Sequence, residues 1–232
     1  MSSKVAKKRA VPPLENGDHL TAAEFRRRYE AMPESVRAQL IDGVVYMSSP
    51  VRFNGHAERS VHLATLFGIY AAFTPGVRTG GDATVRLADD SEPQPDLLML
   101  IDPHCGGQCR ITDDDYLAGA PELVAEVANS SVSMDLNTKY RAYQASAALE
   151  YLVWRVTDDA IDWFALEDGV YSRVSPDADG THKSAVFSGL WLDAPALLRG
   201  EMATVFATLT RGLASPEHTA FVAKLAAAKK PE

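Results

Sequence analysis

Cysteine, long apolar runs and excess positive charge are all scarce in this chain of 232 residues. Two cysteines cannot build the disulfide framework of a small secreted domain, so reduced thiols are expected. No apolar run reaches the roughly 18 residues needed to cross a bilayer. The basic N-terminus is not followed by an apolar stretch, so no secretory signal is predicted. A cytoplasmic location without membrane attachment is therefore expected.

The charge balance limits how this chain can bind nucleic acid. The net charge is −8, which disfavours binding through a broad basic surface. Nucleic-acid chemistry would have to depend on a local site where a metal cation supplies positive charge. The sequence also contains no glycine-rich loop of the nucleotide-binding type. The pair Gly80-Gly81 indicates only a turn.

The length and the order of patterns predict one large domain of the α/β or α+β class. Residues 1–18 are predicted to be a flexible arm, residues 19–200 the domain, and residues 201–232 a C-terminal helix or tail. Helix, strands, helix and strands follow one another, which predicts a mixed sheet flanked by helices. Asp42-Gly43 between apolar runs is a strong hairpin signal.

Further helices and strands are predicted from periodicity and from turn residues. Helices are expected near residues 22–31, 56–73, 134–147 and 195–213, and a second hairpin over 161–174. The segment 102–121 is predicted to be a loop rich in glycine and aspartate.

Two acidic residues stand in strands that are otherwise apolar. Glu126 interrupts the run Leu123–Ala128, which has the character of a strand buried on both faces. Asp96 heads the apolar run Leu97–Ile101. Burial of a carboxylate is costly unless it is paired or bound to a cation. Two such acids aimed at one point from neighbouring strands would suit Mg²⁺ or Mn²⁺.

Other interpretations of these residues stay open on spacing alone. Each acid can instead lie at a strand end or pair with an arginine such as Arg86. Lys139 follows Asp135 by four positions, which is the spacing of an ordinary ion pair on a helix face. Tyr143 lies on the same face one turn later, and His56 can be a surface or capping residue.

A zinc site is a further alternative in the loop that contains His104, Cys105 and Cys109. Three soft ligands lie close together there. The two cysteines have an unusual spacing and no second cluster follows, so the glycines of this loop predict a turn more simply than a metal site.

Several short motifs occur in a fixed order along residues 20–200. They are Pro95-Asp96-Leu97-Leu98, the segment 121–131, Asp135 with Lys139 and Tyr143, the segment 149–154, Leu40-Ile41-Asp42-Gly43 with His56, and the segment 187–192. As an ordered series they resemble the Uma-type restriction endonuclease family, which belongs to the PD-(D/E)XK nuclease superfamily. The resemblance implies a restriction-endonuclease-like central mixed sheet of four or five strands flanked by helices, with an extra C-terminal hairpin and helix.

The resemblance also implies a metal-dependent endonuclease that hydrolyses phosphodiester bonds, with DNA as substrate and Mg²⁺ or Mn²⁺ as cofactor. Asp96 and Glu126 would be the side-chain metal ligands, and the carbonyl of Val127 a backbone ligand. The lysine that the superfamily places two positions after the second acid is Ala128 here. Lys139 would take over its role, orienting the attacking water or stabilising charge on the phosphate.

Two further expectations complete the functional prediction. His56 would line the site from the first long helix, and by analogy with nucleases that cut two strands a homodimer is expected. The family usually has Glu before Leu-Ile-Asp-Gly, whereas this chain has Gln39, which cannot give a negative charge to a cation. The alternative is therefore a catalytically weakened nuclease-fold module that binds nucleic acid or a protein partner.

Overall fold

The structure is a computed structural model that describes residues 11–48, 50, 52–88 and 90–230. The first ten residues of the predicted arm lie outside this part of the chain. Residues 11–18 do not stand free: Leu14 is buried, and the Gly17 N–H donates to the Val45 carbonyl. This segment therefore packs on the hairpin that follows.

The described helices lie between and after the strands. They are α1 (Ala22–Tyr29), α2 (Glu58–Ala72), α3 (Tyr140–Ala145), α4 (Ala194–Leu198), α5 (Met202–Leu213) and α6 (Pro216–Ala228). Two π-type helical turns, Phe53–Ala57 and Met134–Lys139, lead directly into α2 and α3. No helix in the described ranges is long and apolar enough to span a bilayer.

Most of the strands are short. They are β1 (Ala38–Ile41), β2 (Val44–Met47), β3 (Val77–Gly80), β4 (Val85–Arg86), β5 (Leu97–Ile101), β6 (Arg110–Ile111), β7 (Leu117–Ala118), β8 (Leu123–Ala128), β9 (Glu150–Arg155), β10 (Ala160–Glu167), β11 (Val170–Arg173), β12 (Thr181–Lys183) and β13 (Trp191–Asp193). The predicted loop 102–121 thus contains two of them, β6 and β7, which form a small separate sheet with β4 in the order β4-β7-β6.

The central sheet has six strands in the order β11-β10-β9-β8-β5-β3. Only β8 and β9 run parallel, and α3 lies in the connection between them. The remaining neighbours pair antiparallel. This arrangement confirms the predicted mixed sheet flanked by helices. The sheet is wider than the expected four or five strands because the second predicted hairpin, β10–β11, continues it.

The first hairpin follows its turn residues. Asp42 and Gly43 both have positive φ, +50° and +75°, which gives the two-residue turn that matches the twist of antiparallel strands. Ile41 then pairs with Val44 and Ala38 with Met47. The hairpin confirms its prediction and brings Gln39 to the edge of the cleft described below.

Apolar side chains cover both faces of the central sheet. One face packs against Leu66, Phe67 and Tyr70 of α2 in the main core. The other face carries a second cluster around Tyr143 of α3 and Tyr151 of β9. Since β8 is buried along its whole length, any charged side chain on it must find its partner inside the protein.

The C-terminal helices join the same core. The helix predicted over 195–213 is in fact α4 and α5, separated at Gly200, whose φ of +74° favours glycine. Side chains beyond residue 200 pack in the main core, namely Val205, Leu209, Phe221 and Leu225. The domain boundary at residue 200 stays a prediction, but the segment beyond it is not a free tail.

Candidate active site

The strand register brings the two predicted acids to one place. Leu97 pairs with Ala125 and Leu98 with Val124, so continuing β5 by one residue sets Asp96 opposite Glu126. Directly opposed residues of antiparallel strands project from the same face of the sheet. Both side chains line one open cleft of about 1230 Å³.

Asp96 is fixed by contacts at the end of β8 and before α2. Its Oδ2 accepts a hydrogen bond from the Val127 N–H at 2.7 Å, and its Oδ1 lies 3.3 Å from His56 Nε2. His56 Nδ1 lies 2.9 Å from the Val127 carbonyl oxygen. The hydrogen bond to Asp96 raises the pKa of His56 against the opposing effect of burial. The imidazole thus bridges the Asp96 carboxylate and the Val127 carbonyl, and it holds Asp96 in place.

Glu126 lies deeper, in a cluster of buried polar side chains. Its Oε1 is 2.9 Å from Lys139 Nζ and accepts a hydrogen bond from the Tyr143 hydroxyl at 3.1 Å. Lys139 Nζ also lies 3.3 Å from Asp135 Oδ1. Asp135 in turn accepts a hydrogen bond from the Ser131 hydroxyl at 2.5 Å. The lysine therefore makes the helix-face pair expected from its spacing and also reaches back to the sheet.

Burial acts in opposite directions on Glu126 and Lys139. Burial raises the pKa of Glu126 to about 8, with Asp96 and Asp135 adding to the effect and Lys139 opposing it. Burial disfavours the charged form of Lys139, but its attraction to Glu126 and Asp135 is stronger, so its pKa is raised. Lys139 is consequently an ammonium group. A cation bound beside Glu126 would favour the charged form of that carboxyl, which burial disfavours.

Several residues of the cleft were not singled out by the sequence. Those lining it besides the predicted ones include Arg37, Arg52, Asp82, Gln94, Asn129 and Ser131. Asp82 is exposed, and partial desolvation of its carboxyl together with the Asp96 carboxylate raises its pKa. Its N–H donates to the Pro95 carbonyl at 3.1 Å, which fixes it beside Asp96. An acid directly after Gly80-Gly81, at the end of the strand next to β5, was the signal that could have found it.

Gln39, which stands where the resembled family usually has Glu, lies at the cleft. It lines the cleft from β1, and its Oε1 accepts a hydrogen bond from the Gln94 N–H at 3.3 Å. The side chain is thus positioned at the site but brings no negative charge to it.

The structure also bears on the two alternatives that the sequence left open, a pairing of the acids with Arg86 and a zinc site at the cysteine loop. Arg86 pairs with Asp114 rather than with either acid. Cys105 and Cys109 are both buried with free thiols, and burial raises the pKa of Cys109 to about 11. Among the described residues, no three His, Cys, Asp or Glu side chains converge in a geometry suited to a metal, and this applies to the cysteine loop and to the cleft alike. Asp96, Glu126 and Val127 all line the cleft, and the Val127 carbonyl oxygen lies 2.9 Å from His56 Nδ1.

Similarity to known proteins agrees with this architecture. A solved structure described as "a putative nuclease belonging to DUF820 from Anabaena variabilis" matches with a TM-score of 0.56 at 11% identity, over 82% of this chain and 99% of that one. The protein accordingly has a nuclease-like fold. No curated protein matches the chain.

The sequence identifies the family more closely. The Uma2 family, described as "Putative restriction endonuclease", matches residues 22–195. This chain belongs to the Uma2 family, as its ordered motifs predicted.

Proposed function

We propose that this protein is a Mg²⁺- or Mn²⁺-dependent endonuclease that hydrolyses phosphodiester bonds in DNA. The observation that carries the proposal is the meeting of Asp96 and Glu126, from adjacent strands, in one open cleft beside the buried ammonium of Lys139. Membership of the Uma2 family supports the nuclease class. The choice of metal, the DNA substrate and the role given to each residue are parts of this proposal.

The chemistry of the oxygens fits a hard divalent cation. Mg²⁺ is usually held by one or two carboxylates, with water and substrate phosphate completing its shell. Asp96, Glu126 and the Val127 carbonyl would supply the protein's share. Such an occupant would favour the charged form of Glu126, which burial and the neighbouring carboxylates of Asp96 and Asp135 disfavour. A cation held there would polarise a phosphoryl oxygen and lower the pKa of a bound water.

Lys139 would act through its charge rather than as a base. Because its pKa is raised, it holds its proton at neutral pH and can only donate hydrogen bonds. A buried donor aimed into the cleft stabilises negative charge that grows on a phosphate in the transition state. Asp135 and Tyr143 would be positioning residues, since both act on the Lys139–Glu126 pair.

Plasmid cleavage in Mg²⁺ tests this proposal directly. We expect Asp96→Ala and Lys139→Ala each to lower the rate by roughly 100-fold or more. Asp102→Ala is the matched control, because Asp102 follows β5 at the end opposite to Asp96. Cleavage by the wild type that persists equally in the Asp96 and Lys139 variants would end the assignment.

One observation favours a second function. Gln39 occupies the cleft without a negative charge, which favours a nuclease-fold module that binds nucleic acid or a protein but cleaves weakly. Gln39→Glu separates the two functions. For a weakened enzyme, the variant should gain cleavage and bind Mg²⁺ more tightly. A pure binding module would show no cleavage with or without the change.

A further inference from the structure

An exposed aromatic residue adjoins the cleft. Phe53 is 70% exposed, which is the largest exposure among the described large apolar side chains. It follows Arg52 and precedes His56 by three residues, and both of these line the cleft, so Arg52 and Phe53 are called the rim below. Single exposed apolar side chains are common on protein surfaces, and what distinguishes Phe53 is its position beside the cleft.

The arginine of this rim makes no ion pair among the described residues. Arg52 lines the cleft and forms no salt bridge within that part of the chain. Arg37 also lines the cleft, where it donates to the carbonyls of Glu34 and Val36 and its charge opposes the rise in the pKa of Asp82. In a protein of net charge −8, guanidinium groups at one cleft suit a phosphate backbone.

The turn that carries Phe53 is held firmly against the site. The Arg52 carbonyl accepts from the N–H groups of His56 and Ala57 at 3.0 and 3.2 Å. His56 itself contacts the Val127 carbonyl. Gly55 packs so closely on Asn129 that a Cβ there would lie 2.6 Å from its Nδ2. The aromatic ring is thus presented from a fixed position relative to Asp96.

We propose that Phe53 stacks on an unpaired base of the substrate strand while Arg52 binds a neighbouring phosphate. This inference rests on the proposed function and names its substrate class, DNA that is single-stranded or has an unpaired base at the cleavage point. Paired bases inside a duplex are stacked on each other, whereas an unpaired base offers its face to an aromatic side chain. The net charge of −8 disfavours binding of intact duplex through a broad basic surface, so a few local contacts must select the strand.

Binding without hydrolysis tests the inference. A short single strand containing 2-aminopurine is titrated with protein in chelator at low salt, and an unbroken duplex of the same sequence is titrated in parallel. We expect the wild type to bind the single strand more tightly and to quench its fluorescence. Phe53→Ala should weaken that binding by about fivefold or more and abolish the quenching.

Matched control variants show whether an effect on binding is specific to Phe53 and Arg52 or is common to any exposed aromatic residue or arginine. Phe73 follows α2 as Phe53 precedes it and is 64% exposed, so Phe73→Ala should leave binding unchanged. Arg52→Gln should weaken binding to the single strand, whereas Arg141→Gln, an exposed arginine of α3 outside the cleft, should not.

The outcomes also distinguish this inference from the proposed function. Equal binding of wild type and Phe53→Ala would overturn the inference, and so would a preference for the intact duplex. A change of oligomeric state in Phe53→Ala with unchanged binding would likewise overturn it and assign Phe53 to a protein interface. Strand binding that depends on Phe53, in a protein that never cleaves, would support the inference while ending the proposal of hydrolysis.

Discussion

Lys139 is the residue on which the buried carboxylates of the cleft depend. It is 5% exposed and contacts both Glu126 and Asp135. Removing one partner from a buried charged group leaves the others uncompensated, which costs roughly 3–5 kcal/mol. Its charge therefore contributes to the fold as well as to the proposed chemistry.

Lys139→Met should lower the free energy of unfolding by roughly 3 kcal/mol, because the methionine keeps most of the apolar stem and removes the charge and its N–H donors. Chemical denaturation in chelator measures this. Lys183→Met is the control, since its exposed pair with Asp177 should contribute no more than about 1 kcal/mol. Equal stability of the wild type and Lys139→Met would contradict the account of the buried cluster.

Glu150 is a buried carboxylate away from the cleft. It accepts hydrogen bonds from the Ser184 hydroxyl at 2.6 Å and the Ala185 N–H at 2.7 Å, and so fastens the loop before β13 to the start of β9. Burial nevertheless raises its pKa to about 7. A carboxyl whose pKa is raised on folding contributes stability below its unfolded pKa of about 4.5, and that contribution is lost as the pH rises through about 7.

Glu150→Gln should remove this pH dependence. The wild type should lose up to about 3 kcal/mol of stability relative to the variant between pH 4.5 and pH 8. Unfolding free energies of both proteins measured across that range give the difference directly. A difference that does not change with pH would show that the group is not perturbed as described.

Some residues of the site could be predicted from the sequence and others could not, for a physical reason. Asp96 and Glu126 were visible because Asp96 heads an apolar run and Glu126 interrupts one, and a buried charge needs a partner. Lys139 showed only a helix-face spacing, since its reach to Glu126 depends on how α3 packs on the sheet. Asp82 gave no signal of this kind, because its place beside Asp96 follows from the pairing of β3 with β5.

At the scale of elements, α5 is held by a close contact between backbones. A Cβ at Gly212 would lie 2.2 Å from the Gly189 carbonyl oxygen and 2.8 Å from Trp191. The backbone oxygen cannot move away as a flexible side chain could. Glycine is required here for the helix to lie against the turn that precedes β13.

Gly212→Ala should therefore destabilise the protein by about 1–3 kcal/mol, as an overpacked core does. Gly68→Ala is the matched control, because it also replaces a helical glycine but its Cβ would meet nothing within 4 Å. We expect the control to be neutral or more stable by about 0.5–1 kcal/mol. Thermal unfolding of the two variants measures this difference. An equal loss of stability in both variants would contradict a specific contact at Gly212.

Elements set by local signals were predicted well, and those set by contacts between distant segments were not. The β1–β2 hairpin follows from its turn residues, and α1 begins at Ala22 as predicted, with Thr21 as its cap. The π-type turns before α2 and α3 have no comparable local signature. They lie where His56 and Lys139 contact the site.

At the scale of the whole molecule, the C-terminal helices complete the core. Four side chains beyond residue 200 are buried in the main cluster, namely Val205, Leu209, Phe221 and Leu225. Full burial of such side chains is worth roughly 1.5–3 kcal/mol each, or about 6–12 kcal/mol together. That sum is comparable with the total stability of a typical domain, about 5–15 kcal/mol.

A chain ending at residue 200 should therefore fail to fold cooperatively, although the family match ends at residue 195. A chain ending at residue 228 retains all four side chains and should unfold as the full protein does. Circular dichroism and thermal unfolding compare the two. A cooperative transition in the shorter chain would establish residue 200 as a true domain boundary.

The central claim is that Asp96 and Glu126 together hold a divalent cation, and calorimetric titration with Mg²⁺ and Mn²⁺ tests it most directly. The account predicts saturable binding at millimolar concentrations or below by the wild type and by Asp102→Asn, and loss of that binding in Asp96→Asn and Glu126→Gln. Absence of binding by the wild type, or equal affinity in all four proteins, would contradict it.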